Sequence, residues 1–254
     1  MKHILSIMCL LCLCGLNTNA ADAPTAEKIA EYRNAAEQGE ANAQYSLGFC
    51  YMKGAGVPKD DIQAVKWCRK AAEQGLSKAQ TKLGLFYEFG EGVTKNSAEA
   101  AKWYRKAAEQ GEVNAQGKLG YIYIKGEGVP KDAVEAAKWF RKAAEQGNAI
   151  GQSQLGLCYA DGEGVAKDKV EAARWFRKAA EQGYAKAQFI LGGCYIKGEG
   201  VSKDAVESYM WLSLSSAAGD AIAVKLIEVL AKEMTAAQIA EAERKTHLWK
   251  PKKE

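Results

Sequence analysis

Histidine is scarce in this chain. Only two occur, His3 and His247, and His3 lies in an N-terminal segment with the features of a cleaved signal. A Ser–His or Cys–His nucleophile pair would therefore depend on His247 alone, and a histidine-rich metal site is excluded. Gly-x-Gly recurs five times, but no phosphate-loop Gly-Lys-Ser/Thr follows it. The sequence predicts no catalytic residues, no metal site and no cofactor.

The chain also has few prolines and only a small excess of charge of either sign. Four prolines, 48% hydrophobic residues and 26% charged residues are ordinary for a folded chain, so we expect disorder only at the ends. The formal net charge is +4, whereas a nucleic-acid-binding domain usually shows a strong basic excess on one face. We therefore expect no nucleic-acid partner.

Long apolar runs are missing beyond the N-terminal segment. There, Lys2 is followed by an apolar run, Ile4 to Leu16, and then by Asn17-Thr18-Asn19-Ala20. A charged start, a short apolar core and small residues are typical of a secretory signal, and we place cleavage after Ala20. The run is too short to span a bilayer comfortably, although an uncleaved anchor helix is the alternative. The sequence predicts a periplasmic or secreted protein without stable membrane insertion.

One pentapeptide, in contrast, is abundant. Ala-Ala-Glu-Gln-Gly occurs five times, and its closing glycines are 36 residues apart. These glycines, together with a sixth in the same phase, are Gly39, Gly75, Gly111, Gly147, Gly183 and Gly219. A fixed period of this size is typical of a stacked repeat array, in which each unit buries its apolar face against its neighbours.

Each repeat is predicted to contain two helices, and the third repeat shows the pattern most clearly. In its first helix Ala115, Leu119 and Tyr123 form one apolar stripe. Gly120 lies inside that helix, where glycine is unfavourable, so we expect a neighbouring helix to approach closely there. Gly126-Glu127-Gly128 then ends the helix and turns the chain.

The second helix of the repeat begins at a predicted cap. Asp132 is followed three residues later by Glu135, which resembles a capping box with aspartate in the cap role. The apolar stripe of this helix contains a tryptophan that recurs at Trp67, Trp103, Trp139, Trp175 and Trp211. We expect this column to be inter-helix core, and a stacking ladder for bases or sugars is the alternative. The sequence thus predicts an all-α fold, an α-solenoid of antiparallel helix pairs with a 36-residue repeat.

Four cysteines follow the signal segment, at positions 50, 68, 158 and 194. Cys50, Cys158 and Cys194 occupy equivalent places in their repeats. Equivalent helices pack about 8–10 Å apart, which is too far for Cα atoms that must lie within about 7 Å to form a disulfide. We therefore expect small buried apolar residues, with no bridge between Cys158 and Cys194. A bridge between Cys50 and Cys68, on the two helices of one repeat, stays open.

The repeat resembles the Sel1-like repeat, a relative of the tetratricopeptide repeat. The first unit carries the pattern as Ala43-Gln44, Leu47-Gly48, Tyr51, Gly54-x-Gly56-Val57, Asp60 and Trp67. We assign residues 1–20 to the signal peptide, 21–40 to an N-terminal capping helix, 41–219 to five Sel1-like repeats, and 220–254 to C-terminal capping helices and a frayed tail. Exported Sel1-like proteins of the cysteine-rich type carry a cysteine pair in each repeat. This chain does not, so the weak β-lactam-related activity of that subgroup is not implied.

The resemblance also implies a binding surface. In tetratricopeptide relatives, residues that flank the Leu-Gly pair of each first helix fall on or near a concave groove. In this chain we expect the groove to contain ten ligand-binding residues, here called the first-helix face: Asn42, Tyr45, Phe49, Lys53, Lys78, Phe89, Tyr121, Lys125, Phe189 and Lys197. Its aromatics and lysines suit an extended or helical peptide with some acidic character, unless the apolar members only pack between helices.

We therefore expect an exported bacterial repeat scaffold, not an enzyme, that binds another protein or peptide through its concave groove. An envelope enzyme or a peptidoglycan-binding protein is the alternative, and a catalytic pair in a cleft would favour it. A structural spacer without a ligand is a third interpretation.

Overall fold

A computed structural model describes residues 24–252 of the chain. Within these residues it contains thirteen α-helices and no strand, which confirms the predicted fold class. The helices are α1 (Ala26–Glu37), α2 (Ala41–Lys53), α3 (Asp61–Glu73), α4 (Ser77–Phe89), α5 (Ser97–Glu109), α6 (Val113–Lys125), α7 (Ala133–Glu145), α8 (Ala149–Asp161), α9 (Lys169–Glu181), α10 (Ala185–Lys197), α11 (Ala205–Ala217), α12 (Ala221–Ala231) and α13 (Ala236–Leu248). The predicted signal peptide at residues 1–20 lies outside the described residues.

The helices belong to two compact units. The first unit runs up to Leu119 and includes residues 127–129, and the second contains residues 120–126 and everything from Pro130 onward. In the first unit α2 packs against α3 and α4 against α5. In the second unit α8 packs against α9 and α10 against α11. Each of these contacts joins helices that are neighbours in the sequence, as expected for a repeat of short helices.

The second helix of each repeat begins at the predicted cap. The Asp132 side chain accepts a hydrogen bond from the backbone N–H of Glu135 at 2.9 Å, and Asn96 caps α5 in the same way. The reciprocal half of a capping box is not formed at these starts. The Glu135 carboxylate instead pairs with Lys138, at 3.1 Å. The predicted caps are therefore confirmed, but they satisfy the helix N-terminus from one side only.

The glycine inside each first helix permits close packing, as predicted. A Cβ placed on Gly84 would lie 2.7 Å from the ring of Tyr104, and a Cβ on Gly156 would lie 2.7 Å from the ring of Phe176. Both distances are far shorter than van der Waals contact. The second helix of the repeat thus rests its large side chain directly on the backbone of the first.

The tryptophan column is core. All five indoles are 3–8% exposed, and Trp67 packs among Ala36, Ala43 and Leu47. Such burial leaves no ring face for stacking by a base or sugar, so that alternative is wrong. A lysine one turn later lies 4.1–4.5 Å from the ring centroid in four of the five repeats, as Lys70 does over Trp67.

The four cysteines are free thiols, so neither the Cys158–Cys194 bridge nor the Cys50–Cys68 bridge is formed. Cys194 is half-buried and the other three are buried. Burial raises the pKa of Cys68 to about 12, and burial with help from nearby Glu163 raises that of Cys158 to about 11. The cysteines thus act as small apolar side chains, as predicted.

The C-terminal tail is held more firmly than the expected fraying implies. The Trp249 ring meets Trp211 edge to face, with centroids 6.4 Å apart. Beyond it, the Lys252 backbone N–H donates to the carbonyl oxygen of Glu181 at 2.8 Å, and the Lys252 ammonium donates to the Glu181 carboxylate at 2.9 Å. These contacts fasten residues 249–252 to the end of α9, so the expectation of a frayed tail is wrong for the described part.

Candidate functional site

The first-helix face keeps some exposure at all ten positions. Its polar members are exposed: Asn42, Lys53, Lys78, Lys125 and Lys197. Its aromatic members are half-buried at Tyr45, Phe49, Tyr121 and Phe189, whereas Phe89 is 42% exposed. Tyr121, Lys125, Phe189 and Lys197 lie in the second unit, and the other six residues lie in the first.

Two of the aromatic members also serve the core. Tyr45 packs against a buried cluster that contains Leu83 and Trp103. Tyr121 meets Phe140 edge to face, with ring centroids 5.4 Å apart and an interplanar angle of 81°. Such aromatic pairs stabilise the fold, so part of this face has a packing role of the kind that the sequence left open.

In the first unit the structure builds a polar cluster around Glu88, on the last turn of α4. The hydroxyl of Tyr104 on α5 donates to the Glu88 carboxylate at 2.5 Å. The ammonium of Lys118 on α6 donates to the same carboxylate at 3.0 and 3.1 Å. Lys118 also lies 5.5 Å from the ring centroid of Phe89. One carboxylate therefore holds three helices together beside an exposed aromatic ring.

The electrostatics of this cluster follow from its burial. The side chains of Lys118 and Glu88 are only 24% and 28% exposed, so their ion pair is more shielded from water than a surface pair. Tyr104 is fully buried, and burial first and the adjacent Glu88 charge second hold the pKa of its hydroxyl well above the usual range. The phenol therefore stays a donor, and the Lys118 ammonium offsets the Glu88 charge next to Phe89.

The sequence interpretation did not place Glu88, Tyr104 or Lys118 in the candidate site. A signal for them exists in the comparison of the repeats with one another. Tyr104 stands where the other second helices have cysteine, phenylalanine or leucine, and Glu88 stands where the other first helices have methionine, isoleucine or alanine. A hydroxyl and a carboxylate that both appear in the same neighbourhood indicate a pair.

Residues 24–252 contain no group of three or more His, Cys, Asp or Glu side chains placed to hold a metal ion. His247 is exposed on α13, as expected. None of the thirteen helices is both long and apolar enough to cross a bilayer.

Comparison with known proteins agrees with the repeat architecture. The Sel1 repeat model matches residues 41–76, 77–112, 113–148, 149–184 and 185–220. The crystal structure of a Sel1 repeat protein from Oxalobacter formigenes is 37% identical, with a TM-score of 0.73, over 87% of this chain and 100% of that one. A protective antigen of uropathogenic Escherichia coli with an SLR fold is 27% identical, with a TM-score of 0.43, over 89% of this chain and 72% of that one.

A further similar structure is an immunity protein from Pseudomonas aeruginosa, which is 23% identical with a TM-score of 0.47 over 78% of each chain. A comparison with curated proteins gave no match. The five matched units cover 180 of the 254 residues, which is well over half of the sequence. On that coverage, and on the Oxalobacter structure, the chain belongs to the Sel1 repeat family.

Proposed function

We propose that this chain is an exported, non-catalytic scaffold that binds an acidic segment of another protein on the first-helix face of its first unit. Sel1 repeat proteins form scaffolds of a protein-interaction type, which makes binding the default expectation for this fold. The secretory pattern from Lys2 to Ala20 supports export.

Phe89 is the observation that carries the proposal. It is an aromatic side chain with 42% exposure on a fold that buries the five column tryptophans almost completely. Exposed rings are the usual anchors of protein interfaces, where a few residues supply most of the binding energy. The Glu88–Lys118 pair holds a cation against this ring, so the anchor is already ordered before a partner arrives. Less conformational entropy is then lost on binding.

Charge favours an acidic partner. Lys53 and Lys78 are exposed on α2 and α4, and neither forms an ion pair with another described residue. The acidic member of the neighbouring cluster, Glu88, is neutralised by Lys118. The first-helix face of the first unit therefore presents the exposed positive charges of Lys53 and Lys78, which would steer an acidic segment and oppose a basic one.

The proposal is tested by affinity capture from the periplasm, with purified protein carrying either the native sequence or one substitution. Phe89→Ala removes the anchor. Ile62→Ala is the matched control, because Ile62 is 68% exposed on α3 and outside the first-helix face. A partner retained by the native chain and by Ile62→Ala, but lost with Phe89→Ala, supports the site. Equal capture by all three proteins would show that the partner binds at a surface other than the one around Phe89.

A further inference from the structure

A ladder of glutamine side chains connects successive repeats. The Gln74 amide nitrogen donates to the Gln44 amide oxygen and to the carbonyl oxygen of Gly39, both at 2.8 Å. In the second unit Gln182 does the same, to Gln152 at 2.9 Å and to Gly147 at 2.8 Å. Gln74 and Gln182 thus each place one primary amide between the amide oxygen of a glutamine in their own repeat and the carbonyl oxygen of a glycine that precedes that repeat.

The accepting glutamine is buried and has its own nitrogen engaged. Gln152 is 1% exposed and donates to the Ala144 carbonyl at 3.3 Å. Gln188, its equivalent in the next repeat, is 2% exposed and donates to the Ala180 carbonyl at 3.2 Å. This bond fixes the orientation of the side chain, so the amide oxygen points to the place where the amide of a motif glutamine would donate.

At Gln188 the ladder lacks its donor. The position one repeat after Gln182 is Ala218, which has no polar side chain. No donor among residues 24–252 reaches the Gln188 amide oxygen or the Gly183 carbonyl oxygen, the pair that corresponds to the Gln152 and Gly147 acceptors. Gln188 is itself buried whereas Gly183 is exposed, so these two oxygens remain available to a donor from outside the chain.

In place of the missing glutamine side chain, the second unit has an open hollow of about 400 Å³. Its lining includes Gly183, Gln188, Leu214, Ala218, Trp249 and Pro251. The edge-to-face contact with Trp211 and the bonds from Lys252 to Glu181 hold the Trp249–Pro251 wall in place. The hollow therefore combines two fixed acceptors with an aromatic and aliphatic wall, which are the usual elements of a small binding site.

We propose that this hollow binds a primary carboxamide, carried by a glutamine side chain of a partner peptide. A carboxamide supplies the N–H donors that the two acceptors require, as Gln74 and Gln182 do within the chain. A glutamate side chain would bring a carboxylate, which only accepts hydrogen bonds, up to two acceptor oxygens. A methionine side chain would leave both acceptors unpaired. This site is separate from the first-helix face and does not depend on the function proposed for that face.

The first experiment uses three blocked peptides and NMR of the whole chain. Ac-Gly-Gln-Gly-NHMe is the probe, and the same peptides with Glu or Met in the centre are the controls, since their methylamide ends carry no primary amide. We expect saturable shifts of the Trp249 indole N–H and the Gln188 side-chain amide with the glutamine peptide alone. Binding should be at least about tenfold weaker for either control, because a site built to receive a donor rejects ligands without one. Equal shifts with all three peptides would overturn the proposal.

The second experiment fills the hollow from within. Ala218 has φ −84° and ψ 5°, close to the −79° and −3° of Gln182, so Ala218→Gln points its side chain along the ladder. This variant should unfold at a higher temperature and should lose the glutamine-peptide shifts. Ala221→Gln, at the exposed first position of α12, is the control and should change neither. Unchanged peptide binding by Ala218→Gln would refute the site.

Free L-glutamine distinguishes the source of the carboxamide. The peptide should bind more tightly, because its backbone extends over the Trp249 wall while the charged ends of the free amino acid must stay in water. Tighter binding of free glutamine would assign the hollow to a small molecule and overturn the peptide assignment.

Discussion

The Tyr104 hydroxyl donates a 2.5 Å hydrogen bond to the Glu88 carboxylate, across the contact between α4 and α5. Lys118 completes the cluster from α6 at 3.0 Å, thirty residues farther along the chain than Glu88. The phenol is buried and the carboxylate is only 28% exposed. Glu88 and Tyr104 occupy positions that hold apolar residues in the other four repeats. The exposed Phe89 ring lies next to this pair.

Replacing Tyr104 with phenylalanine should destabilise the chain although the ring is kept. The equivalent residues Phe140 and Phe176 show that phenylalanine fits this place. The variant leaves the partly buried Glu88 carboxylate without one donor, and a hydrogen bond to a charged group contributes about 1.5–3 kcal/mol. Urea denaturation should show a loss in this range. Tyr32→Phe on the half-buried face of α1 is the control and should change little. Equal stability of Tyr104→Phe and the native chain would show that the bond contributes nothing.

Alanine at two buried glycines should have opposite effects. Gly84→Ala places a methyl group 2.7 Å from the Tyr104 ring, so the overpacked helix pair should lose about 1–3 kcal/mol of unfolding free energy. Gly117→Ala meets no heavy atom within 4 Å and should gain up to about 1 kcal/mol from helix propensity. The two urea midpoints should therefore move in opposite directions. A stabilised Gly84→Ala variant would contradict the close packing.

The buried thiol of Cys68 should make stability fall at alkaline pH. The pKa of this thiol is about 12 in the folded chain because of burial, against an ordinary value of 9.0. Between these values the unfolded chain has lost the proton and the folded chain has kept it. Ionisation therefore favours the unfolded state, and unfolding free energy should decrease as pH rises from about 9 towards 12. Cys68→Ala should show a shallower decrease in urea titrations over this range.

In native protein at neutral pH, a thiol reagent should modify half-buried Cys194 before Cys68.

Binding by the first-helix face should depend on Phe89 and on its lysines in different ways. With a captured partner, Phe89→Ala should cost about 1–3 kcal/mol of binding free energy, as for interface anchors generally. Lys53→Ala should mainly slow association and reduce its salt dependence, because the ammonium is exposed. Calorimetry and stopped-flow association separate the two effects. Helicity should be unchanged in both variants. In contrast, Tyr121→Ala should lose stability as well, since that ring packs on Phe140.

Much of the fold followed from the sequence because one local pattern recurs. The 36-residue phase, the cap at Asp132 and the glycine at position 84 are each local features, and repetition made their interpretation secure. The buried tryptophan column followed from helical periodicity for the same reason. The candidate face could be predicted only as a set of positions, since a repeat pattern tells which side of a helix varies but not which side chains meet.

The sequence by itself therefore determined the helix pairs, their boundaries and the residues of the core. The tertiary structure decided that Glu88 pairs with both Tyr104 and Lys118, sixteen and thirty residues away, and that Lys252 returns to Glu181 across seventy-one residues. It also decided that the Gln188 amide oxygen, which no donor within residues 24–252 reaches, lines the same hollow as Ala218 and Trp249. The physical reason is that helices and caps depend on interactions within a few residues, whereas these contacts depend on how separate helices and the tail pack together in space.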